Sequence, residues 1–264
     1  MVAEHSASID DALLDRLHPV DLPTLEAAAA LQHRLDTKYV VPDGMVGDLI
    51  GSLDDGWRIL EIDDARMFTY RSMYLDDHTR TSYVDHLKGR RRRFKVRIRH
   101  YGSDTADMLE VKLKTGRGLT DKHRTSRHDP TSATLTADEQ RWVDDVLAGT
   151  APAGTAARLE PSITIEYSRL TLWHVPSDER MTIDLGARAS RDDTSVMLVG
   201  GGAIVEVKSS TVRGVATDMF LKRNHRPATF SKYCVGLAAL HPHLDGRMAA
   251  EARRLVDRSL SPTR

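Results

Sequence analysis

Basic side chains alternate with apolar side chains along several short segments of this sequence. In the segment 93–99 the odd positions are all Lys or Arg, whereas Phe94, Val96 and Ile98 hold the even positions. Successive side chains of a β-strand point to opposite faces, so each such segment predicts a strand with one charged face. Like charges on neighbouring strands repel each other. We therefore expect a bound anion, and a chain of phosphates fits the charge and the narrow shape of such a face.

The charged face has members on six predicted strands, and a few carboxylates lie among its cations. Its positions are Arg34, Asp36, Lys38, Arg93, Lys95, Arg97, Arg99, Glu110, Lys112, Lys114, Lys122, Arg124, Arg180, Asp184, Glu206 and Lys208. Cations and a few carboxylates suit phosphoryl transfer, which depends mainly on positioning and on stabilisation of charge. A solvated polar face is the alternative, although such faces usually mix acids and bases evenly.

The motifs of several other catalytic classes are missing. The sequence has no G-x-x-x-x-G-K-[ST] loop and no H-E-x-x-H motif, and Gly200, Gly201 and Gly202 precede a predicted strand rather than a helix. Its single cysteine, Cys234, excludes an internal disulfide and a multi-cysteine zinc site.

Composition indicates a globular protein with a sizeable core. The chain has 264 residues, of which 40% are hydrophobic and 29% charged. No apolar run approaches the roughly 20 residues that span a bilayer, and acids replace the bases of a secretory signal at the N-terminus. We expect a cytoplasmic protein.

The net charge of zero hides a strong segregation. Residues 1–87 carry 17 acids and 7 Lys or Arg, whereas residues 88–128 carry 14 Lys or Arg and 4 acids. A basic block of this kind favours an anionic partner or an acidic face of the same fold.

The elements that would position the charged residues form an α+β fold dominated by an antiparallel sheet. Short turns between successive predicted strands favour antiparallel pairing. We expect a β-barrel of about eight strands with a cation-lined lumen and helices packed outside. The predicted strands are 33–41, 57–62, 67–76, 91–101, 107–115, 119–128, 159–175, 180–187 and 203–209. The predicted helices are 9–17, 25–31, 43–53, 79–87, 136–148, 215–223, 231–240 and 247–260.

Eight motifs in chain order carry a family likeness. They are Arg34-Leu-Asp-Thr-Lys-Tyr39, Tyr70 to Asp76, Gly89 to Tyr101, Glu110-Val-Lys-Leu-Lys114, Tyr167-Ser-Arg169, Arg180-Met-Thr-Ile-Asp184, Glu206-Val-Lys208 and Phe230-Ser-Lys-Tyr233. Together they resemble the VTC domain, the catalytic domain of vacuolar transporter chaperone polyphosphate polymerases, in the triphosphate tunnel metalloenzyme (CYTH-like) superfamily. The resemblance covers roughly 34–240 and implies a tunnel domain over 33–241. Helical spacing on either side of it predicts a helical N-terminal preface over 1–32 and a C-terminal helix over 242–264.

The resemblance also implies roles for individual residues. The implied catalytic residues are Lys38, Arg97, Arg99, Lys112, Arg169 and Arg180. The implied phosphate-binding residues are Lys122, Tyr167, Lys208, Ser231 and Lys232, to which the charged face adds Arg93, Lys95, Lys114 and Arg124. Glu206 would hold Mn²⁺ or Mg²⁺. Glu110 and Asp184 could hold the metal or pair with a cation. The substrates would be ATP and inorganic polyphosphate.

Two departures from the superfamily leave alternatives open. Its hydrolytic branch has an E-x-E-x-K signature on the first strand, where this chain has Arg34, Asp36 and Lys38. This difference removes carboxylates that could activate water, and it therefore favours a polymerase over a tripolyphosphatase or nucleoside triphosphatase. The likeness brings no membrane-spanning tail, so a separate membrane protein is a possible partner for export, at the inner face of the membrane. A non-catalytic polyphosphate receptor stays open, whereas nucleic acid is disfavoured because aromatic residues make up only 5% of the chain.

Overall fold

The computed structural model describes residues 9–29, 35–102, 106–115, 120–127, 132–200, 202–229, 231–241, 243–244 and 250. The strands within this part of the chain are β1 His18–Val20, β2 Leu35–Val41, β3 Trp57–Leu60, β4 Phe68–Asp76, β5 Arg93–Tyr101, β6 Met108–Lys114, β7 Thr120–Ser126, β8 Glu160–His174, β9 Glu179–Arg191, β10 Thr194–Met197 and β11 Ala203–Ser209. The helices within it are α1 Asp11–Asp15, α2 Leu22–Ala29, α3 Met45–Gly51, α4 Thr81–Leu87, α5 Ala137–Leu147, α6 Val215–Lys222 and α7 Lys232–Leu240.

Eight strands form one antiparallel path that curls into a half-barrel. The order is β2-β11-β9-β8-β4-β5-β6-β7. In addition, β3 pairs with β8, β1 pairs in parallel with β3, and β10 pairs with β9. The predicted fold class is therefore confirmed. We call the concave side of the half-barrel the lumen.

The convex side of the sheet carries two apolar cores. One lies under α1, α3 and α6 and includes Tyr39, Trp57 and Phe220, and the other lies under α5 and includes Phe94 and Val143. These side chains alternate with the charged ones, as the two-residue period requires. α5 begins at a capping box, as its sequence predicts.

Helix α7 lies on the concave side, which differs from the expected ring of outer helices. Its Gly236 lies so close to the sheet that a Cβ atom there would stand 2.7 Å from the Cβ of Ala189 and 3.0 Å from the Cδ1 of Ile165. Ile165 pairs with Ser72, and Ser72 pairs with Arg99, so α7 covers the face that bears the cations. Nearly all of α7 is buried, which is typical of an internal helix.

A bulge divides the lumen into an apolar part and a charged part. The β8–β9 register shifts between Glu166 and Ser168, opposite Gly186, whose φ of +60° favours glycine. Before the bulge β9 turns Asp184 toward the lumen, and after it Ala187 and Ala189 face α7. The charged part begins where α7 begins.

Some predictions for single elements differ from the structure. The expected gap around Pro19 contains β1, which joins the sheet through β3, and the preface 1–32 is therefore not wholly helical. β10 was not predicted, and β9 extends four residues beyond the predicted end, to Arg191. Arg34, Phe230 and most of the predicted helix 247–260 lie outside the described residues. The domain boundaries remain a prediction. Within the described residues, no helix has the length and apolar character needed to cross a membrane.

Candidate functional site

The sheet register brings most of the predicted cations together on the lumen side. Arg93 pairs with Lys114, and Lys95 pairs with Lys112, which pairs in turn with Lys122. The lumen cations within the described residues are Lys38, Arg93, Lys95, Arg97, Arg99, Lys112, Lys114, Lys122, Arg124, Arg169, Arg180, Lys208 and Lys232. Their carboxylate neighbours are Asp36, Glu110, Asp184 and Glu206. Cations thus outnumber these neighbouring carboxylates by thirteen to four.

Glu110 lies at the centre of one ion-pair cluster. Its carboxylate is 2% exposed and accepts hydrogen bonds from Arg97 Nε at 2.7 Å and Tyr101 Oη at 3.2 Å, and Lys122 Nζ lies 2.5 Å away. Burial alone would raise the pKa of Glu110, but the charges of Arg97, Arg99 and Lys122 outweigh burial and bring the pKa to about 2. These contacts favour the ion-pair role for Glu110 over the metal role.

Asp184 is the centre of a second ion-pair cluster. It is fully buried and accepts both arms of Arg169, with Nε to Oδ1 at 2.5 Å and Nη2 to Oδ2 at 2.9 Å. Lys232, the first residue of α7, places its Nζ 2.5 Å from Oδ2. Burial raises the pKa of Asp184, but Arg169 and Lys232 lower it more, so the carboxylate stays ionised. Asp184 therefore fixes one arginine and the start of α7, and its contacts also favour pairing over metal binding.

Tyrosine side chains surround the lumen arginines. Arg97 donates to the hydroxyl of Tyr74 at 3.1 Å, and Arg99 donates to that of Tyr167 at 3.1 Å. The guanidinium of Arg169 lies 5.0 Å from the ring centre of Tyr70 and 5.1 Å from that of Tyr167. Burial raises the pKa of Tyr74, but Arg97, Arg99 and Lys95 lower it more, to about 8. Such contacts hold the arginines in fixed directions.

Glu206 is the predicted metal ligand, and its surroundings suit an ionised carboxylate. Lys38 Nζ lies 3.6 Å and Lys208 Nζ 3.7 Å from its carboxylate, and Lys208 also reaches Asp36 at 3.9 Å. Burial raises the pKa of Glu206, but Lys38 and Lys208 outweigh it and hold the pKa well below its usual range.

The donor set fits a divalent ion that is held jointly with phosphate. Among the described residues, no group of three or more His, Cys, Asp or Glu side chains could hold a metal by itself. Mg²⁺ is commonly bound through one or two carboxylates together with oxygens of a substrate phosphate, and it keeps several waters. Glu206, with Asp36 on the neighbouring strand, meets that requirement.

Lys95, His86 and Ser231 meet where the end of α4 and the start of α7 approach β5, and we call this end of the charged face the mouth of the lumen. Lys95 Nζ donates to Ser231 Oγ at 2.6 Å, and Ser231 also caps the N-terminus of α7. Burial and the nearby Lys95 and Arg93 lower the pKa of His86 to about 3, so its imidazole is neutral at physiological pH. Burial likewise lowers the pKa of Lys95 and of Lys112.

Other predicted residues take more peripheral places. Arg124 is about half exposed and pairs at 3.4 Å with Glu26 of α2, so it lies at the outer edge of the charged face, opposite Glu110. Arg93 donates to the carbonyl oxygen of Arg90 at 2.6 Å, at the start of β5. Arg180 lies opposite Lys208 in the ladder.

Sequence reasoning missed four residues of the site: Tyr70, Tyr74, Tyr101 and His86. Both Tyr70 and Tyr74 lie on β4, where they alternate with Ser72, and this spacing was an available signal. Tyr101 ends the alternating run of β5 and could have been included with it. His86 lies on α4, and nothing in its spacing shows that this helix faces the lumen.

Known proteins share the fold of this chain, and one family model matches most of its sequence. No curated protein matches the sequence. A Hippeastrum protein described as a candidate adenylyl cyclase with a dominant triphosphatase activity is 11% identical, with a TM-score of 0.52, over 78% of this chain and 96% of that chain. A candidate adenylate cyclase from Bacillus halodurans is 12% identical, with a TM-score of 0.49, over 76% of this chain and 94% of that one. At 11% identity the likeness to the Hippeastrum protein concerns the fold alone. The model of the VTC domain matches residues 33–241, and the chain therefore belongs to the VTC domain family.

Proposed function

We propose that this protein is a metal-dependent polyphosphate polymerase that transfers the γ-phosphoryl group of ATP to the end of an inorganic polyphosphate chain. The observation that carries the proposal is the excess of cations over carboxylates among the described residues of the concave face. Each of these carboxylates already contacts a cation, so the remaining positive charge needs an anionic ligand.

Lysines supply the binding surface for the polyphosphate chain. Lys95, Lys112 and Lys122 lie side by side across three strands, at the spacing of about 5 Å that separates neighbouring strands. Within the described residues, Lys112 and Lys114 make no ion pair. Phosphate oxygens would neutralise these charges and restore the ionised state that burial disfavours in Lys112.

Arginines supply stabilisation of the charge that develops during transfer. Arg97 is fixed by Glu110 and Tyr74, and Arg169 is fixed by Asp184. Donors that are already oriented do not need to reorganise when charge builds up on the transferred group. An oxygen of the terminal phosphate would form a bond to the γ-phosphorus while the bond to the leaving ADP oxygen breaks, so that ADP and a chain longer by one unit result.

A divalent ion, when bound, would supply positive charge that neutralises the negative charge of the phosphates. Glu206 and Asp36 are the residues that would hold it, and Lys38 and Lys208 keep Glu206 ionised for that purpose.

The proposal is tested by incubating the purified protein with ATP and Mn²⁺, with and without a short polyphosphate primer, and resolving the products on a gel stained for polyphosphate. We expect a ladder together with ADP, its loss in Arg97→Ala and Glu206→Gln, and an unchanged ladder in Arg141→Ala, which removes an exposed cation from α5. A ladder of normal yield from both lumen variants would contradict the site assignment, and no ladder from the wild-type protein would contradict the polymerase.

A triphosphatase is the second candidate, and the similar fold of the Hippeastrum protein described as having a dominant triphosphatase activity favours it. In that case water would replace the primer, and tripolyphosphate would release orthophosphate without any polymer. Binding of polyphosphate without turnover would instead identify a non-catalytic receptor.

A further inference from the structure

A run of exposed cations connects the end of α4 to β5, a strand that carries lumen cations. Lys88, Arg90, Arg91 and Arg92 are all exposed, and Arg93 begins β5 directly after them. Gly89 has a φ of +61°, so the chain turns there, between the end of α4 and the start of β5. We call Lys88, Arg90, Arg91 and Arg92 the basic rim.

The basic rim is continuous with the charged part of the lumen. Arg93 pairs with Lys114, and the next lumen position on β5 is Lys95. Lys95 contacts Ser231 and His86 at the mouth. A phosphate chain that passes over these groups would therefore meet the basic rim as it leaves the lumen.

Most of the charge on the rim is available to a ligand. Arg90 pairs with Asp85 at 2.7 Å, but in the described part of the chain Lys88, Arg91 and Arg92 make no ion pair. Among the residues that the structure describes, Arg92 donates one long hydrogen bond, to the carbonyl oxygen of Gly149 at 3.3 Å. Adjacent like charges repel and gain from a common counterion, and a polyanion of regularly spaced phosphates provides one.

Proteins that bind single-stranded nucleic acids usually stack the bases on aromatic side chains. Residues 88–93 contain no aromatic residue, so the basic rim is better suited to a chain of phosphates. We propose that the basic rim binds the part of a long inorganic polyphosphate chain that extends beyond the lumen, and that the mouth beside α4 is where this chain passes. The inference rests on the proposed function, since it assumes that the lumen holds phosphates.

The test compares a long polyphosphate of about one hundred units with tripolyphosphate, which is short enough to lie within the lumen. Direct binding is measured by calorimetry at several salt concentrations for the wild-type protein and for the double variant Arg91→Ser/Arg92→Ser. The matched control, Arg141→Ser/Lys222→Ser, removes two exposed cations from α5 and α6.

We expect the rim variant to bind long polyphosphate about fivefold more weakly for each arginine removed, as is typical of a surface cation near an anionic surface. The salt slope should fall by about 0.7 per arginine, the value for single-stranded polyanions. Tripolyphosphate affinity should stay within about twofold, and the control should change neither ligand.

Other outcomes overturn the inference. Equal weakening of both ligands would place Arg91 and Arg92 in the lumen site, and no weakening would remove the rim from binding. Equal or tighter binding of a single-stranded oligonucleotide of the same charge, lost in the same variant, would identify a nucleic-acid surface instead. If long polyphosphate binds and tripolyphosphate does not, the proposed lumen function fails, and with it the passage of the chain through the mouth; a loss of long-polyphosphate binding in the rim variant would then show a binding site on the basic rim alone.

Discussion

Replacement of Glu110 by glutamine should destabilise the free protein markedly while leaving its shape almost unchanged. A carboxyl group whose pKa falls from 4.5 to about 2 contributes about 3 kcal/mol in its ionised form. We assign this contribution mainly to the ion pair with Arg97, because the ion pair with Lys122 contributes less stabilisation. Burial outweighs the attraction of Glu110 for Lys122 and lowers the pKa of Lys122 to about 8. The variant also leaves neighbouring cations without their common counterion, which adds to the loss.

Thermal and urea unfolding measure the effect. For a domain of this size about 3 kcal/mol corresponds to a fall in Tm of about 6–12 °C. Tripolyphosphate should raise the Tm of Glu110→Gln by more than that of the wild-type protein, because the ligand replaces the missing negative charge. The control is Glu166→Gln, which breaks an exposed pair with Arg71 and should cost at most about 1 kcal/mol. A Tm within about 2 °C of wild type for Glu110→Gln would refute the reasoning.

Three further predictions follow from single contacts. The contribution of Glu110 to the free energy of unfolding should be fully present above pH 4.5 and should be lost as the pH falls toward 2, because the depressed pKa of Glu110 favours the native state only while the carboxyl is ionised. Acid unfolding of Glu110→Gln should show a smaller loss of stability over that range, and an equal loss would contradict the assignment. Tripolyphosphate affinity should decline as the pH rises above about 8, where Lys122 loses its proton. In a calorimetric titration Lys122→Arg should move this decline to higher pH. The same pH profile in both proteins would exclude Lys122 as the titrating group. Gly236→Ala should lower the free energy of unfolding, measured by urea titration, by about 1–3 kcal/mol, because the new Cβ atom would stand 2.7 Å from that of Ala189. Alanine is the better helix former, so a gain in stability would contradict the close approach of α7 to the sheet.

The charged strands could be predicted closely because their period is strict. β5 and β6 begin and end within two residues of the segments predicted from alternation, and the capping box fixed the start of α5. A period of two says which residues share a face, so the lumen cations could be grouped without knowledge of the strand order.

The missed elements had weak local signals. β1 is three residues long, contains Pro19, and pairs in parallel with a strand about forty residues away. The place of α7 was missed because an apolar helix fits either side of a sheet, although its lack of a polar face was a usable sign of an internal helix.

The contacts of the carboxylates depended on three-dimensional distances that no pattern supplies. Sequence alternation places Glu110, Asp184 and Glu206 alike on the charged face. The structure separates them, because Glu110 and Asp184 are buried against arginines whereas Glu206 lies between two lysines.

The central claim is that the lumen binds a chain of phosphates together with a divalent ion. A crystal structure of the protein with tripolyphosphate and Mn²⁺, with anomalous scattering to locate the metal, tests it most directly. We predict phosphates within hydrogen-bond distance of Arg97 and Lys112 and an anomalous peak beside Glu206. Phosphates found only on the outer surface, or a metal bound away from Glu206, would contradict the account.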